Sequence, residues 1–512
     1  MTEINAILKK NGLEINIKDI TAKYDLSGLK KIKNKYTIRY KNPINNYFIE
    51  NKLYTIKNGF IYLPRFGGYK LLDANIIDSI ENKILDGKDL NLNYIGKSND
   101  NQALVIQYLL DNIYNNKNVQ KGIAGCNLKM VAGTGKTFVG MDLISKLNKK
   151  CLVILPNTYL LKQWKELLME YFPNNTIGEY YGKEKTEGDI IVSIINSAIS
   201  DEFNFKYLNI NKEIKGKYTT VTKSYQEFYK EFGLIVFDES HTYCSKSFKI
   251  IFERAQSTYM LGLSATPNER LDSCDKIAHY NIGDIIDAET LPKYQKEDIT
   301  FESEVHIIKY NAPDKYVTTH INEKTNMICT YKIIDDMIND EYRNKLILNN
   351  IFELFNLGLN VFVFSERRSH LEYLYEQFNY MVDDIYENNL AIPELNINEN
   401  MVLYGGCDDD EIENAKTKSK IIFTSFQYSS TGVSINKMSG MILATPRRSK
   451  STQIIGRIFR LNKENNHIKR IIVDIVDNKS VLKNQLYSRM KSYKDRDSTI
   501  IKSEINYKDI EI

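Results

Sequence analysis

KMVAGTGKTFVG, residues 129–140, is the stretch on which the fold turns. An apolar lead-in precedes it and a helical pattern follows, so the chain reads here as strand, glycine-rich turn, helix. Across Ala132, Gly133, Thr134 and Gly135, the two glycines let the backbone curl until its N–H groups point at phosphate oxygens. Lys136 can then reach the β- and γ-phosphates of a nucleotide, and the Thr137 hydroxyl can hold Mg²⁺. The strict phosphate-loop pattern has a glycine where Met130 stands, whereas the G-x-G-K-T portion is intact. Short glycine motifs also serve as plain turns before helices, so a second signal is needed.

That signal is GLIVFDESH at 233–241, an apolar strand ending in two adjacent carboxylates. Asp238, at the strand's C-terminal end, is placed to bind Mg²⁺ through water. Glu239 beside it can orient or deprotonate an attacking water. The loop and the carboxylates together make the nucleotide half-site that neither makes alone.

Around these motifs, short apolar strand candidates recur at 151–155, 190–194, 234–237 and 260–263, with a helical pattern at 158–172 between two of them. The alternation predicts a parallel sheet with covering helices. It fades through 285–330 and resumes at 360–364, 401–404, 420–424, 440–444 and 470–475. Two such blocks in tandem predict an α/β chain with two domains around a cleft. A terminal helix is expected over 480–493 from Leu482, Leu486, Met490 and Tyr493. The first ninety or so residues read as a strand-rich module, with a hairpin at 53–66 turning on Asn58-Gly59. Lys30, Lys31, Lys33, Lys35, Arg39 and Lys41 interleave with Tyr36 and Tyr40, either as a solvated strand face or as a surface for phosphates and bases.

At 512 residues, 42% hydrophobic and 26% charged, the chain has an ordinary globular balance. It contains no apolar run of about 18 residues and no secretory signal, so it is expected to be intracellular and soluble, without membrane contact. The six cysteines form no C-x-x-C pair, against a zinc ribbon or a disulfide framework. A formal net charge of +4 allows a nucleic-acid partner without demanding one.

DESH at 238–241 is a DExH box, and the chain resembles superfamily 2 helicases in its other motifs. SAT at 264–266 is similar to the family's coupling motif, which implies that Ser264 and Thr266 link hydrolysis to strand grip. QIIGRIFR at 453–460 matches the family's Q-x-x-G-R-x-x-R, which implies a catalytic Gln453 and arginine fingers at Arg457 and Arg460. LPNTYLLKQW (155–164) resembles a backbone-contacting motif, with Pro156, Thr158 and Gln163 as candidates and Trp164 as helix core. VFVFSERRSHLEYL (361–374) places Ser365 and Arg367 near a strand end. TSFQYSSTGVSI (424–435) stands where the family has a further contact, at Gly432, but Thr431 and Ser434 replace its acids. Gln102 occupies the place of the adenine-reading glutamine, without the usual Arg and Tyr.

The resemblance implies two tandem RecA-like domains using ATP and Mg²⁺. On that basis we delimit a strand-rich module at 1–96, domain 1 at 97–290, a linker at 291–330, domain 2 at 331–478 and a C-terminal helix and tail at 479–512. A narrower resemblance, through FIYLPRFGG (60–68), NDEYRNKLI (339–347) and VDNKSVLKNQLYSR (476–489), is to the transcript-release DNA helicases typified by poxviruses, near the eukaryotic promoter-opening and repair helicase. It implies a DNA motor with RNA polymerase as a partner and, for a viral chain, a place in the virion or host cytoplasm. RNA or RNA–DNA hybrid remodelling, or service as the motor of a restriction-type enzyme, stay open. The aromatic and basic segment 201–232 is expected to be helix and connection on the outer face of the sheet, or else an insertion that touches a partner.

Overall fold

In the computed structural model of the protein, Asn58 and Gly59 take positive φ angles of 51° and 81°. This is the paired left-handed turn that an Asn-Gly hairpin requires. The structure describes residues 4–511 except 11, 42–47, 73–79, 85, 132, 183, 209–217, 269, 271, 296–300, 324–325, 388–398, 406, 408, 427, 429–434, 448–450 and 460–466. It divides into two units, Met1–Lys296 and Glu297–Ile512. Among the described residues no helix is long and apolar enough to cross a membrane.

The amino-terminal strands are β1 (Ala6–Lys9), β2 (Gly12–Asn16), β3 (Thr37–Lys41), β4 (Phe48–Lys52), β5 (Thr55–Lys57), β6 (Phe60–Leu63) and β7 (Glu81–Asn82). Five of them form one sheet in the order β5-β6-β2-β1-β7, and β3 pairs with β4. Alternation places Leu13 opposite Leu63 and Ile15 opposite Ile61, all buried on one face. The basic-aromatic stretch is the end of helix Ile17–Lys35 followed by β3, not a continuous strand. Lys31 and Lys35 are exposed, but Tyr36 is fully buried, and its hydroxyl donates to the Gly67 carbonyl at 2.6 Å. Tyr36 is therefore core and presents no face to a base.

FIYLPRFGG continues β6 into the short helix Arg65–Tyr69. The Arg65 guanidinium, 1% exposed, donates to the backbone carbonyls of Gly122, Ser257 and Thr258. These carbonyls precede the strands that carry the phosphate loop and the SAT motif, so one side chain rivets the accessory sheet to the first α/β layer. Burial lowers the Arg65 pKa to about 10, still charged at neutral pH.

That layer contains β8 (Gly125–Lys129), β9 (Cys151–Leu155), β10 (Ile177–Tyr181), β11 (Glu184–Lys185), β12 (Ile190–Ile194), β15 (Leu234–Asp238), β16 (Tyr259–Ser264) and β17 (Asp284–Asp287). Their order is β11-β10-β12-β9-β15-β16-β8-β17, parallel except for β11. Every residue of β9, β12 and β15 is buried, as expected where helices cover both faces. Segment 201–232 differs from the expected helix and connection. It is largely an antiparallel hairpin of β13 (Glu202–Leu208) and β14 (Tyr218–Ser224). Phe203 and Phe205 are buried, with Phe203 stacked on Phe228 at 3.9 Å between centroids.

In the second unit, β18 (Ser303–Asn311), the short pair β19 (Ile321–Asn322) and β20 (Met327–Ile328), β21 (Val361–Ser365), β22 (Asn400–Leu403), β23 (Ile421–Ser425), β24 (Gly440–Leu443), β25 (Arg470–Asp477) and β26 (Thr499–Asn506) follow. Seven form an all-parallel sheet, β22-β23-β21-β24-β25-β18-β26. The interval read as linker thus holds β18, a strand of this sheet, and the terminal tail holds its edge strand β26. The expected terminal helix is present as a 3₁₀ turn, Val481–Gln485, running into helix Leu486–Lys494. The fold is α/β with two tandem RecA-like sheets behind a strand-rich amino-terminal region.

Arg65→Ala strips three buried carbonyls of their donor and is expected to lower stability by about 3 kcal/mol. Chemical denaturation followed by circular dichroism checks this; a loss below about 0.5 kcal/mol would contradict the rivet.

Candidate active site

The phosphate loop leaves β8 at Lys129 and enters helix Lys136–Leu147 through Gly135, whose φ of 86° and ψ of 38° are left-handed. A Cβ at this position would sit 2.3 Å from Gln102 Nε2, a side-chain end that would have to move aside, and the left-handed backbone angle is what favours glycine here. Gly133 also has a positive φ, 91°. Lys136 and Thr137 open the helix, where free N–H groups and the helix dipole favour anions. Gln102 is 7% exposed, and both ends of its carboxamide are engaged. Oε1 accepts from Asn99 N at 3.0 Å, and Nε2 donates to the Thr134 carbonyl at 3.2 Å. Gln102 thus ties helix Asp100–Asn112 to the loop. Ala132 lies outside the described residues.

Asp238 ends β15 in register with Leu263 of β16, and β16 in turn sets Ser264 beside Lys129 of β8. Three motifs distant in sequence thereby meet at neighbouring strand ends, the usual location of sites in parallel sheets. Asp238 Oδ1 accepts from Glu239 N at 3.0 Å, and Oδ2 accepts from the Trp164 indole N–H at 2.8 Å. Burial first, then the neighbouring Glu239 carboxylate, pushes the Asp238 pKa up to about 6; the Trp164 bond and the Lys136 charge oppose this. Glu239 sits at φ 50° and ψ 50°, a left-handed conformation uncommon for a side-chain-bearing residue and typical of strained functional turns. Its Oε2 is buried without a hydrogen bond in the fold, 3.4 Å from His241 Nδ1.

His241 Nδ1 lies 2.8 Å from Ser264 Oγ, which also accepts from Thr266 N at 3.1 Å. The Ser264 carbonyl accepts from Met130 N at 3.3 Å. Ser264, fully buried, therefore joins the phosphate loop, the DExH turn and the segment leading to Thr266. This constellation fits a magnesium nucleotide: left-handed glycines in the loop, a carboxylate at a strand end and a buried carboxylate oxygen that accepts no hydrogen bond within the fold.

The strand-contact candidates divide. Thr158 is exposed at the start of helix Thr158–Tyr171, and Pro156 and Gln163 are half-buried. Ser365 is fully buried, with Oγ 2.9 Å from His370 Nδ1 and accepting from Arg367 N at 3.2 Å. It shapes the turn from inside and offers no surface to a strand. The Arg367 Nε donates to Asp335 Oδ1 at 2.6 Å. Its neighbour Arg368, missed in the sequence reading, is exposed, with its guanidinium 3.6 Å from the Tyr404 ring centroid. Gln453 is half-buried on helix Ser451–Ile455, and Arg457 is 4% exposed just beyond it. The terminal helix braces this segment. Ser492 Oγ is 2.9 Å from Thr452 Oγ1, while Arg489 grips Asp474 with two bonds, of 2.8 and 2.9 Å. Gly432 and Arg460 lie outside the described residues.

Residues 96–269 match the family described as type III restriction enzyme, res subunit. The African swine fever virus protein named "Putative ATP-dependent RNA helicase QP509L" (strain Badajoz 1971 Vero-adapted) is 30% identical over 400 residues, 74% of this chain and 70% of that protein. The chain belongs to the superfamily 2 helicases. As a helicase it is an ATP-dependent enzyme acting on nucleic acid. A mimivirus protein named "Putative ATP-dependent RNA helicase L396" (Acanthamoeba polyphaga mimivirus) is 27% identical over 459 residues, 88% of this chain and 78% of that one. The solved structure titled "The fragment structure of a putative HsdR subunit of a type I restriction enzyme from Vibrio vulnificus YJ016" superposes with a TM-score of 0.51 at 15% identity, over 94% of this helicase and 80% of the fragment. This last likeness is one of fold.

Gly135→Ala forces a Cβ into Gln102 and a left-handed angle on alanine. Nucleotide affinity is expected to fall about 5–30-fold, from a penalty of about 1–2 kcal/mol for the angle. Calorimetric titration with ADP and Mg²⁺ checks it; unchanged affinity would contradict the reading of the loop.

Proposed function

We propose that the helicase couples ATP hydrolysis to movement on DNA, in the service of transcript release, with RNA polymerase as its working partner. One observation carries the motor reading: the phosphate loop, the paired carboxylates and Ser264 meet at adjacent strand ends, Met130 N donating to Ser264 O at 3.3 Å and Asp238 lying in register with Leu263. The transcript-release role is supported by FIYLPRFGG, NDEYRNKLI and VDNKSVLKNQLYSR, and by the large-DNA-virus relatives.

In this reading Lys136 holds the β- and γ-phosphate oxygens, and the Thr137 hydroxyl and Asp238 hold Mg²⁺, Asp238 through water. Held there, Mg²⁺ would neutralise negative charge on the nucleotide phosphates. Glu239 takes the proton of the attacking water or fixes its direction, with Oε2 as the acceptor. Gln453, Arg457 and Arg460 answer the charge that develops on the transferred phosphoryl group. Ser264 and Thr266 carry the change in the loop toward the strand-gripping residues, among which we place Pro156, Thr158, Gln163, Arg367 and Gly432.

A second reading, remodelling of RNA or an RNA–DNA hybrid, is favoured by the names of the African swine fever virus and mimivirus relatives. Contacts that track a phosphate backbone do not separate the two.

Steady-state ATPase rates without nucleic acid and with single-stranded DNA, duplex DNA or RNA decide between them. The DNA reading expects stimulation by DNA; stimulation by RNA alone moves the protein to the second reading. Glu239→Gln is expected to lower kcat by about 10²–10⁴-fold while nucleotide still binds. Lys136→Ala should abolish stimulated turnover. Full turnover in either variant would refute the site. Release of nascent RNA from a stalled polymerase, dependent on hydrolysable ATP, tests the biological role.

A further inference from the structure

Trp164 is the only tryptophan in the chain, and its sequence context marks it simply as the apolar face of a helix. The structure gives it a second contact. The ring is 1% exposed within the core of the first sheet, and its one polar atom donates to Asp238 Oδ2 at 2.8 Å. An indole has a single donor and no acceptor, so this bond satisfies its whole polar demand. Asp238 Oδ1 is held separately by Glu239 N. The carboxylate thus has one donor on each oxygen, and one of the two comes from a different element, helix Thr158–Tyr171. The same ring packs against Gly140, where an added Cβ would lie 3.2 Å from Trp164 Cη2. Gly140 belongs to the helix that begins at Lys136. A phenylalanine would fill much of this space, but it could not hold the carboxylate.

We propose that Trp164 is a positioning residue of the nucleotide site: its N–H fixes the plane of the Asp238 carboxylate, and its ring references that plane to the helix that follows the phosphate loop. The inference rests on the proposed role of Asp238 in binding Mg²⁺. Donors behind a metal-binding carboxylate orient it, and their removal commonly costs 10–100-fold in metal affinity or activity. Because the chain has no other tryptophan, its indole emission reports on this one contact.

The test uses the full chain in two arms. In the first, wild-type tryptophan emission is titrated with ADP in the presence of Mg²⁺ or of a chelator, with binding followed in parallel by calorimetry. A saturable emission change that requires Mg²⁺ is expected. In the second arm, Trp164→Phe is expected to need about 10–100-fold more Mg²⁺ for half-maximal ATPase and for calorimetric ADP binding. Its rate at saturating Mg²⁺ should stay within a few-fold of wild type. An unchanged Mg²⁺ requirement overturns the proposal, and so does a lower rate that extra Mg²⁺ does not restore, which marks a packing role alone. Emission that stays constant while calorimetry registers binding of Mg²⁺ and ADP also overturns it. This first arm decides the matter if Trp164→Phe proves too unstable to assay. A wild-type protein that binds no nucleotide overturns the nucleotide-site reading itself, and the proposal with it.

Discussion

A parallel sheet covered on both faces has no side-chain surface left for chemistry, so whatever it does must happen where its strands stop. In the first unit this constraint is strict: β9, β12 and β15 are buried along their whole length. The turns after β8, β15 and β16 are where this sheet presents backbone donors and carboxylates together. Ser264 converts that proximity into coupling. One buried residue accepts from the loop through its carbonyl and meets His241 and Thr266 through its hydroxyl. A shift in any one of the three segments stretches its own bond to Ser264, the residue they share.

Much of this was legible in the sequence because apolar runs and glycine spacing are local signals. The strands at 151–155 and 190–194 were located to the residue, and the Asn58-Gly59 turn formed as its chemistry demands. The errors share a cause. β18 alternates buried and half-exposed residues, with Glu304 and His306 on its wetter face and an exposed Lys309 near its end, so it lacks the continuous apolar run by which the central strands of its sheet were found. β26 is an edge strand, largely exposed, and its sequence resembles a polar connection. The hairpin of β13 and β14 is held by aromatic packing between residues some 25 apart, which no short window registers.

The side-chain misreadings concern partners rather than types. Tyr36 looked available because lysines flank it, yet it is buried under the accessory sheet. Arg367 and Arg368 are indistinguishable as letters; only the structure shows the first paired with Asp335 and the second lying over Tyr404. Ser365 sits at its expected strand end but faces inward, a direction set by His370 and by the tight turn that follows. Trp164 was assigned to the core correctly but incompletely, since a hydrogen bond between residues 74 apart in sequence leaves no periodic trace.

The rivet at Arg65 has an evolutionary corollary. Its acceptors are main-chain carbonyls, a feature that every residue type supplies equally. The receiving loops are therefore free to change their side chains at positions such as Ser257 and Thr258 without losing this contact, whereas the donor has no substitute with the same three-way reach. The seam is asymmetric in the freedom it leaves to drift. An accessory sheet attached in this way stays fixed to the α/β layer while the side chains on the surface of either are rewritten.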